Sequence, residues 1–216
     1  MFPELSLTGY ELERLNELAI NPSSSPVQAL SDTAVANGLT IIAGCPLASG
    51  QAKPYISAVI FHPSGDIAYY RKQYLHQGES EFCIAGDENY SFTIGQIKFA
   101  LAVCADFTEP RHYQEAKASH ADVYLVSALI SQTGFAFDSN LLSGIASKIN
   151  MPVLLSNFVG ETGGWSTAGQ CSVWDRNGDS VIQASQSQEG ITICTISSNK
   201  VYDGKFQPLQ QTKCSS

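Results

Sequence analysis

The sequence predicts a layered α/β domain, largely β at its core with helices outside, formed by residues 1–216 as one unit. Two observations carry this. Strand-like runs alternate with helical segments in some stretches and pair as hairpins in others. Apolar residues make up 44% of the 216 positions against 15% charged ones, which supplies a sizeable core and no signature of disorder.

The elements follow in chain order. Gly9 to Ile20 carries Leu12, Leu15, Leu18 and Ala19 at helical spacing. Pro26 after Ser25, and Gly38 after Asn37, bound a second helix over 26–37. Leu39–Gly44 is a short apolar strand. Tyr55–His62 and Asp66–Lys72 are β-rich and joined by Pro63-Ser64-Gly65, a tight-turn sequence. Ser91–Ile94 and Gln96–Val103 form a second hairpin about Gly95. A helix from Pro110 to His120, a strand over Val123–Ile130, a helix over Ser139–Ile149 and a strand over Val153–Val159 come next. A last hairpin joins Gly169–Trp174 to Ser180–Ala184 through Arg176-Asn177-Gly178-Asp179, and Ile191–Ile196 closes the pattern.

Charge and composition exclude several classes. Twelve Lys and Arg against 20 Asp and Glu give a net charge of -8, which argues against a nucleic-acid or anionic-membrane partner, since both require a positive patch. No apolar run approaches the roughly 18 residues of a membrane span, and Met1-Phe2-Pro3-Glu4 lacks the basic and apolar regions of a secretory signal. Of the six cysteines, Cys45, Cys104, Cys171 and Cys194 sit in or beside apolar runs where buried thiols are common. Reduced thiols and a cytoplasmic location are expected.

Four residues are candidates for chemistry. Cys104 ends the apolar run Phe99–Val103 and precedes a loop, which presents a thiol at a sheet edge. Lys72 follows a strand, Glu4 lies among apolar neighbours, and Glu79 lies in a loop with Glu81. Each alone has an ordinary structural explanation: packing, a snorkelling amine, a helix-start acid, an exposed acid. Together they suit attack on an amide carbonyl. A thiol needs a base, a Glu can take and return its proton, and a Lys with a backbone N–H such as that of Ala105 can stabilise an oxyanion. His62, His76, His112 and His120 lack metal-ligand spacing and read as structural or surface residues, a Cys104–His112 pair being the weaker catalytic option. Tyr10 and Phe158 flank the candidate segments.

The order of these segments resembles the carbon–nitrogen hydrolase (nitrilase) superfamily. Phe2-Pro3-Glu4 with Leu7-Thr8-Gly9-Tyr10 is similar to the segment bearing that family's general-base Glu. Tyr70-Arg71-Lys72-Gln73-Tyr74-Leu75 is similar to its Lys segment, and Gly78-Glu79 leading to Gly86 to that of its second Glu. Val103-Cys104-Ala105-Asp106 with Pro110 resembles the nucleophile segment, and Ala121-Asp122, Ser156–Gly160 and Gly169–Ser172 fit the downstream pattern. The resemblance implies a four-layer α-β-β-α sandwich. It implies a Glu4–Lys72–Cys104 triad supported by Glu79, hydrolysing a small amide or N-carbamoyl substrate through a Cys thioester. It implies no metal or organic cofactor, and a homo-oligomer. The Cys-Ala-Asp context is closer to the amidase and carbamoylase branches than to true nitrilases.

Relative to the family's usual order, Met1 falls inside the Phe-Pro-Glu segment and the strand–helix unit that normally precedes it does not occur in this sequence, so either the true start lies upstream of Met1 or the protein is a shortened member. The expectation is an N-terminally shortened sandwich. The competing expectation is a truncated, catalytically inactive homologue that serves as a binding or assembly partner.

Overall fold

A computed structural model describes residues 1–21, 23–197 and 200–209. Three strands, β1 (Ile41–Leu47), β2 (Tyr55–Phe61) and β3 (Ile67–Arg71), form one antiparallel sheet in sequence order. A six-stranded sheet contains β4 (Tyr90–Ile94), β5 (Ile97–Val103), β6 (Val123–Ala128), β7 (Val153–Asn157), β10 (Ser172–Trp174) and β11 (Ser180–Gln183), ordered β11-β10-β7-β6-β5-β4. Its centre, β5 to β7, is parallel and its flanks antiparallel. Two further hairpins are β8 (Val159–Thr162) with β9 (Trp165–Ala168), and β12 (Gly190–Ser197) with β13 (Lys200–Pro208). The helices among the described residues are α1 (Leu15–Leu18), α2 (Ser25–Asn37), α3 (Pro110–Ala118) and α4 (Phe135–Ile149).

The period-2 alternation of strands assigns each side chain to a layer. On β2, Ile56, Ala58 and Ile60 face a core shared with Leu101 and Val103 of β5, which lies between the two sheets. Val59 and Phe61 turn the other way, onto Val27 and Ala34 of α2. On β5, Ala100 and Ala102 face the core capped by Leu142, Ile145 and Ile149 of α4. Three cores thus separate four layers, helix–sheet–sheet–helix, the α-β-β-α arrangement. No described helix is long and apolar enough to cross a membrane.

Several element boundaries depart from the sequence reading. The helix expected over 9–20 is instead a 3-10 turn (Leu12–Arg14) and the four residues of α1. Its start is diverted: the N–H of Tyr10 bonds Thr162 Oγ1, and Glu11 Oε1 accepts the N–H of Gly163. Helix α4 begins four residues before the expected Ser139. The β8–β9 hairpin and β13 were not anticipated as paired strands. The hairpins about Gly65 and Gly95 form as expected, both glycines at positive φ.

Candidate active site

Glu4 sits in a tight turn between β1 and β6. Phe2 N–H bonds Ile42 O at 2.8 Å, Leu7 N–H bonds Gly44 O at 3.0 Å, and Ser127 Oγ donates to Phe2 O. The turn closes on itself through Ser6 N–H to Pro3 O and Gly9 N–H to Leu5 O, with Leu5 at φ 50°. Such backbone has no side chain's width of space beside it. A Cβ added to Gly44 would stand 2.7 Å from Pro3 O and 2.9 Å from the carbonyl carbon of Glu4.

Lys72 follows the last residue of β3, its N–H bonded to Ile56 O and its carbonyl to Gly86 N–H. The aliphatic stem and ammonium are wholly buried. Glu79 opens a 3-10 turn, Glu79–Glu81, that begins after Gly78 at φ 92°. Cys104 follows β5 at φ 47°, a left-handed conformation costing a non-glycine residue of order 1–3 kcal/mol. That strain turns the thiol out of the strand, and its Sγ lies 3.7 Å from Leu129 O.

Three of the four candidates bond directly to one another, and Cys104 lies close enough to act electrostatically on Glu4 and Lys72. Lys72 Nζ donates to Glu4 Oε1 and to Glu79 Oε1, each at 2.8 Å. Glu79 Oε1 also accepts the Tyr10 hydroxyl at 2.7 Å, and Oε2 accepts the His76 N–H at 2.7 Å. Glu4 and Glu79 are as buried as Lys72, so two carboxyl groups share one cation away from water. Glu4 Oε2 is buried without a hydrogen-bond partner among the described residues.

Electrostatics follow from this enclosure. Burial raises Glu4 above the ordinary carboxyl range, and the Lys72 charge opposes the rise. Burial alone would lower Lys72, but the neighbouring Glu4 carboxyl group, with that of Glu79, outweighs it and raises the ammonium well above the ordinary lysine value. Burial, and then the Glu4 charge, push the Cys104 thiol upward against the pull of Lys72.

His112 is not paired with Cys104. Its ring nitrogens meet Tyr70 Oη (2.9 Å) and Tyr124 Oη (2.7 Å). Tyr10, flagged in the sequence only as a neighbour of the Glu4 segment, touches Glu79 directly. Asp106 belongs to the nucleophile segment, where its sequence context assigns it no role. Its buried carboxyl group accepts N–H bonds from Gln73, Tyr74 and Val103 and the hydroxyl of Tyr70. The Val103 bond is a local cap of the turn that follows β5, but no local pattern signals the other three, which join residues 32 to 36 positions apart.

The sequence matches the family model described as carbon-nitrogen hydrolase over residues 1–206. It is 31% identical over 131 residues to the 2-oxoglutaramate amidase of Bacillus subtilis, a match covering 59% of this chain and 51% of that protein. The chain thus spans about half the length of that relative. It is 27% identical over 210 residues to a nitrilase of Pyrococcus abyssi, covering 91% of this chain and 75% of the other. The fold is similar to an amidase of the nitrilase superfamily from Nesterenkonia, solved as a cysteine-to-serine variant (TM-score 0.78, 20% identity, 86% of this chain and 73% of the other). It is also similar to a Saccharomyces cerevisiae member of branch 10 of that superfamily (TM-score 0.80, 22% identity, 87% and 72%). Another structure of the Nesterenkonia amidase carries acrylamide added to its active-site cysteine.

Proposed function

Because this chain belongs to the carbon–nitrogen hydrolase family, we propose that it hydrolyses a small non-peptide amide or N-carbamoyl bond through a thioester on Cys104. The observation carrying this reading is the buried Lys72 ammonium bonded to both Glu4 and Glu79 beside the Cys104 thiol. In the proposed reaction the free oxygen of Glu4 takes the thiol proton as Cys104 Sγ attacks the carbonyl carbon. Lys72 and the Ala105 N–H face the developing oxyanion. Glu4 returns the proton to the departing amine or ammonia. Water, deprotonated by Glu4, then cleaves the thioester, releases the acid and restores the thiol.

Glu79 holds the Lys72 charge and is itself held by Tyr10 and the His76 N–H. The low-dielectric enclosure strengthens each of these interactions. The acrylamide adduct on the neighbouring amidase's cysteine supports an amide-shaped ligand at the corresponding place. The chemistry requires no metal or organic cofactor. The convergence of the charged groups favours this reading over that of an inactive binding partner. We further infer a single catalytic domain in the cytoplasm, supported by the five free thiols among the described residues. Self-association is part of this reading and rests on membership of the family alone.

The test is turnover of a panel of small amides and N-carbamoyl compounds by the wild-type protein and by Cys104→Ala, with mass spectrometry of the trapped acyl adduct. The expected result is a substrate-derived mass on Cys104 and no turnover by the variant. Turnover surviving the substitution would remove Cys104 as nucleophile.

A further inference from the structure

We propose that Asp106 is a positioning residue that holds the Lys72 segment and the Cys104 turn in register; this rests on Cys104 and Lys72 acting as described above. Asp106 lies two residues after Cys104 and is wholly buried. Its Oδ1 accepts the N–H groups of Gln73 (3.0 Å) and Tyr74 (2.9 Å), the two residues that follow Lys72. Its Oδ2 accepts the N–H of Val103 (2.8 Å), which precedes Cys104, and the O–H of Tyr70 (2.7 Å), two residues before Lys72. One carboxyl group thus bonds the chain on both sides of the lysine and just ahead of the cysteine. Those segments belong to different sheets, β3 and β5, and each must leave its strand at a set angle for ammonium and sulfur to meet.

A second tier of bonds orients the carboxyl group. Tyr70 spends its one hydroxyl hydrogen on Asp106, so its oxygen accepts from the Gln73 side-chain amide (3.2 Å) and from His112 Nε2–H (2.9 Å). With its proton on Nε2, His112 accepts the Tyr124 hydroxyl at Nδ1 (2.7 Å). Every donor in the row Tyr124, His112, Tyr70 therefore points toward Asp106, and all four side chains are buried. A row with one consistent direction polarises each bond in turn. It places α3 and β6 behind Asp106, whose own bonds go to three backbone N–H groups and the Tyr70 hydroxyl.

The experiment compares wild type, Asp106→Asn and Tyr70→Phe at a temperature below each variant's melting transition. It reads kcat, KM and the rate at which iodoacetamide alkylates Cys104, followed by peptide mass spectrometry. Asp106→Asn sets an amide NH2 against N–H donors, and a displacement near 1 Å at the reacting groups is worth about 100-fold. The expected result is a fall of about that size in kcat and in Cys104 alkylation, with KM within about threefold. Tyr70→Phe removes one bond of four and is expected to lower both rates by about tenfold. A folded Asp106→Asn with wild-type kcat and alkylation rate, or with a lowered melting temperature alone, overturns the proposal. If that variant does not fold, unchanged rates in Tyr70→Phe overturn it instead. The alkylation arm needs no turnover, so wild type inert toward every amide, with alkylation still lost in the variants, would count against the hydrolytic reading and not against the positioning role.

Discussion

Gly44, in the middle of β1, lies so close against the backbone of Glu4 that a single methyl group at that position would collide with main-chain atoms. The strand is thereby a template for the turn carrying the proposed base. Gly44→Ala is expected to push the turn away from Lys72 and to cost about 1–3 kcal/mol in stability. Its kcat is expected to fall at least tenfold, because the Lys72–Glu4 bond lengthens with the turn. Urea unfolding and steady-state kinetics on one preparation check both numbers, and wild-type kcat would show that the turn relaxes without moving Glu4.

Tyr10→Phe deletes the hydroxyl that Glu79 Oε1 accepts at 2.7 Å. The expected loss is about 1–2 kcal/mol in stability and about tenfold in kcat, since Glu79 keeps Lys72 but loses one of its orienting donors. The tyrosine backbone is held independently by Thr162, so the ring should remain in place. A variant as active as wild type would mean that the His76 N–H and Lys72 orient Glu79 unaided.

Lys72→Met leaves Glu4 and Glu79 buried without their cation. Removing one partner of a buried charge group typically costs about 3–5 kcal/mol, and loss of the ammonium should abolish turnover. Thermal unfolding monitored by circular dichroism provides the check. A melting temperature unchanged from wild type would contradict the buried ion group as described.

Burial lowers His112 from its ordinary value of 6.5, with Asp106 and Glu115 opposing the fall. Between 6.5 and the lowered folded-state value, the unfolded chain binds a proton that the folded chain refuses. Stability therefore falls as pH drops through that window and is unaffected by this group well above it. His112→Gln should remove this component. Urea midpoints measured at about pH 7.5 and 5.5 should drop more for wild type than for the variant. Equal drops would place the titration elsewhere.

Much of the architecture is legible in short windows of sequence because local steric rules decide it. Pro26 and Gly38 bracket α2, with Gly38 at φ 62°, and Gly65 and Gly95 mark the hairpin turns. The segment after Gly9 misleads for a reason outside its own window: the Tyr10 amide and the Glu11 carboxyl group, which would start a helix, bind Thr162 and Gly163 at the β8–β9 hairpin, 152 residues away. The β13 strand, Lys200–Pro208, alternates too weakly to be read without its partner β12.

The candidate site divides in the same way. Residue type and neighbouring motif single out Glu4, Lys72, Glu79 and Cys104, since a base, a cation and a thiol in ordered contexts are visible one segment at a time. What the linear chain alone determined was therefore the inventory: which side chains carry charge or sulfur, and which strands and turns bear them. Tertiary structure alone decided that Lys72 reaches two acids at once, that Tyr10 steadies one of them, that Gly44 makes room for the other, and that Asp106 clasps two strand ends. Apart from the Lys72–Glu79 bond, which spans seven residues, those relations depend on hydrogen-bond distances and close backbone contacts between segments tens of residues apart. Such distances exist only after the sheets have stacked and water has been displaced from between them.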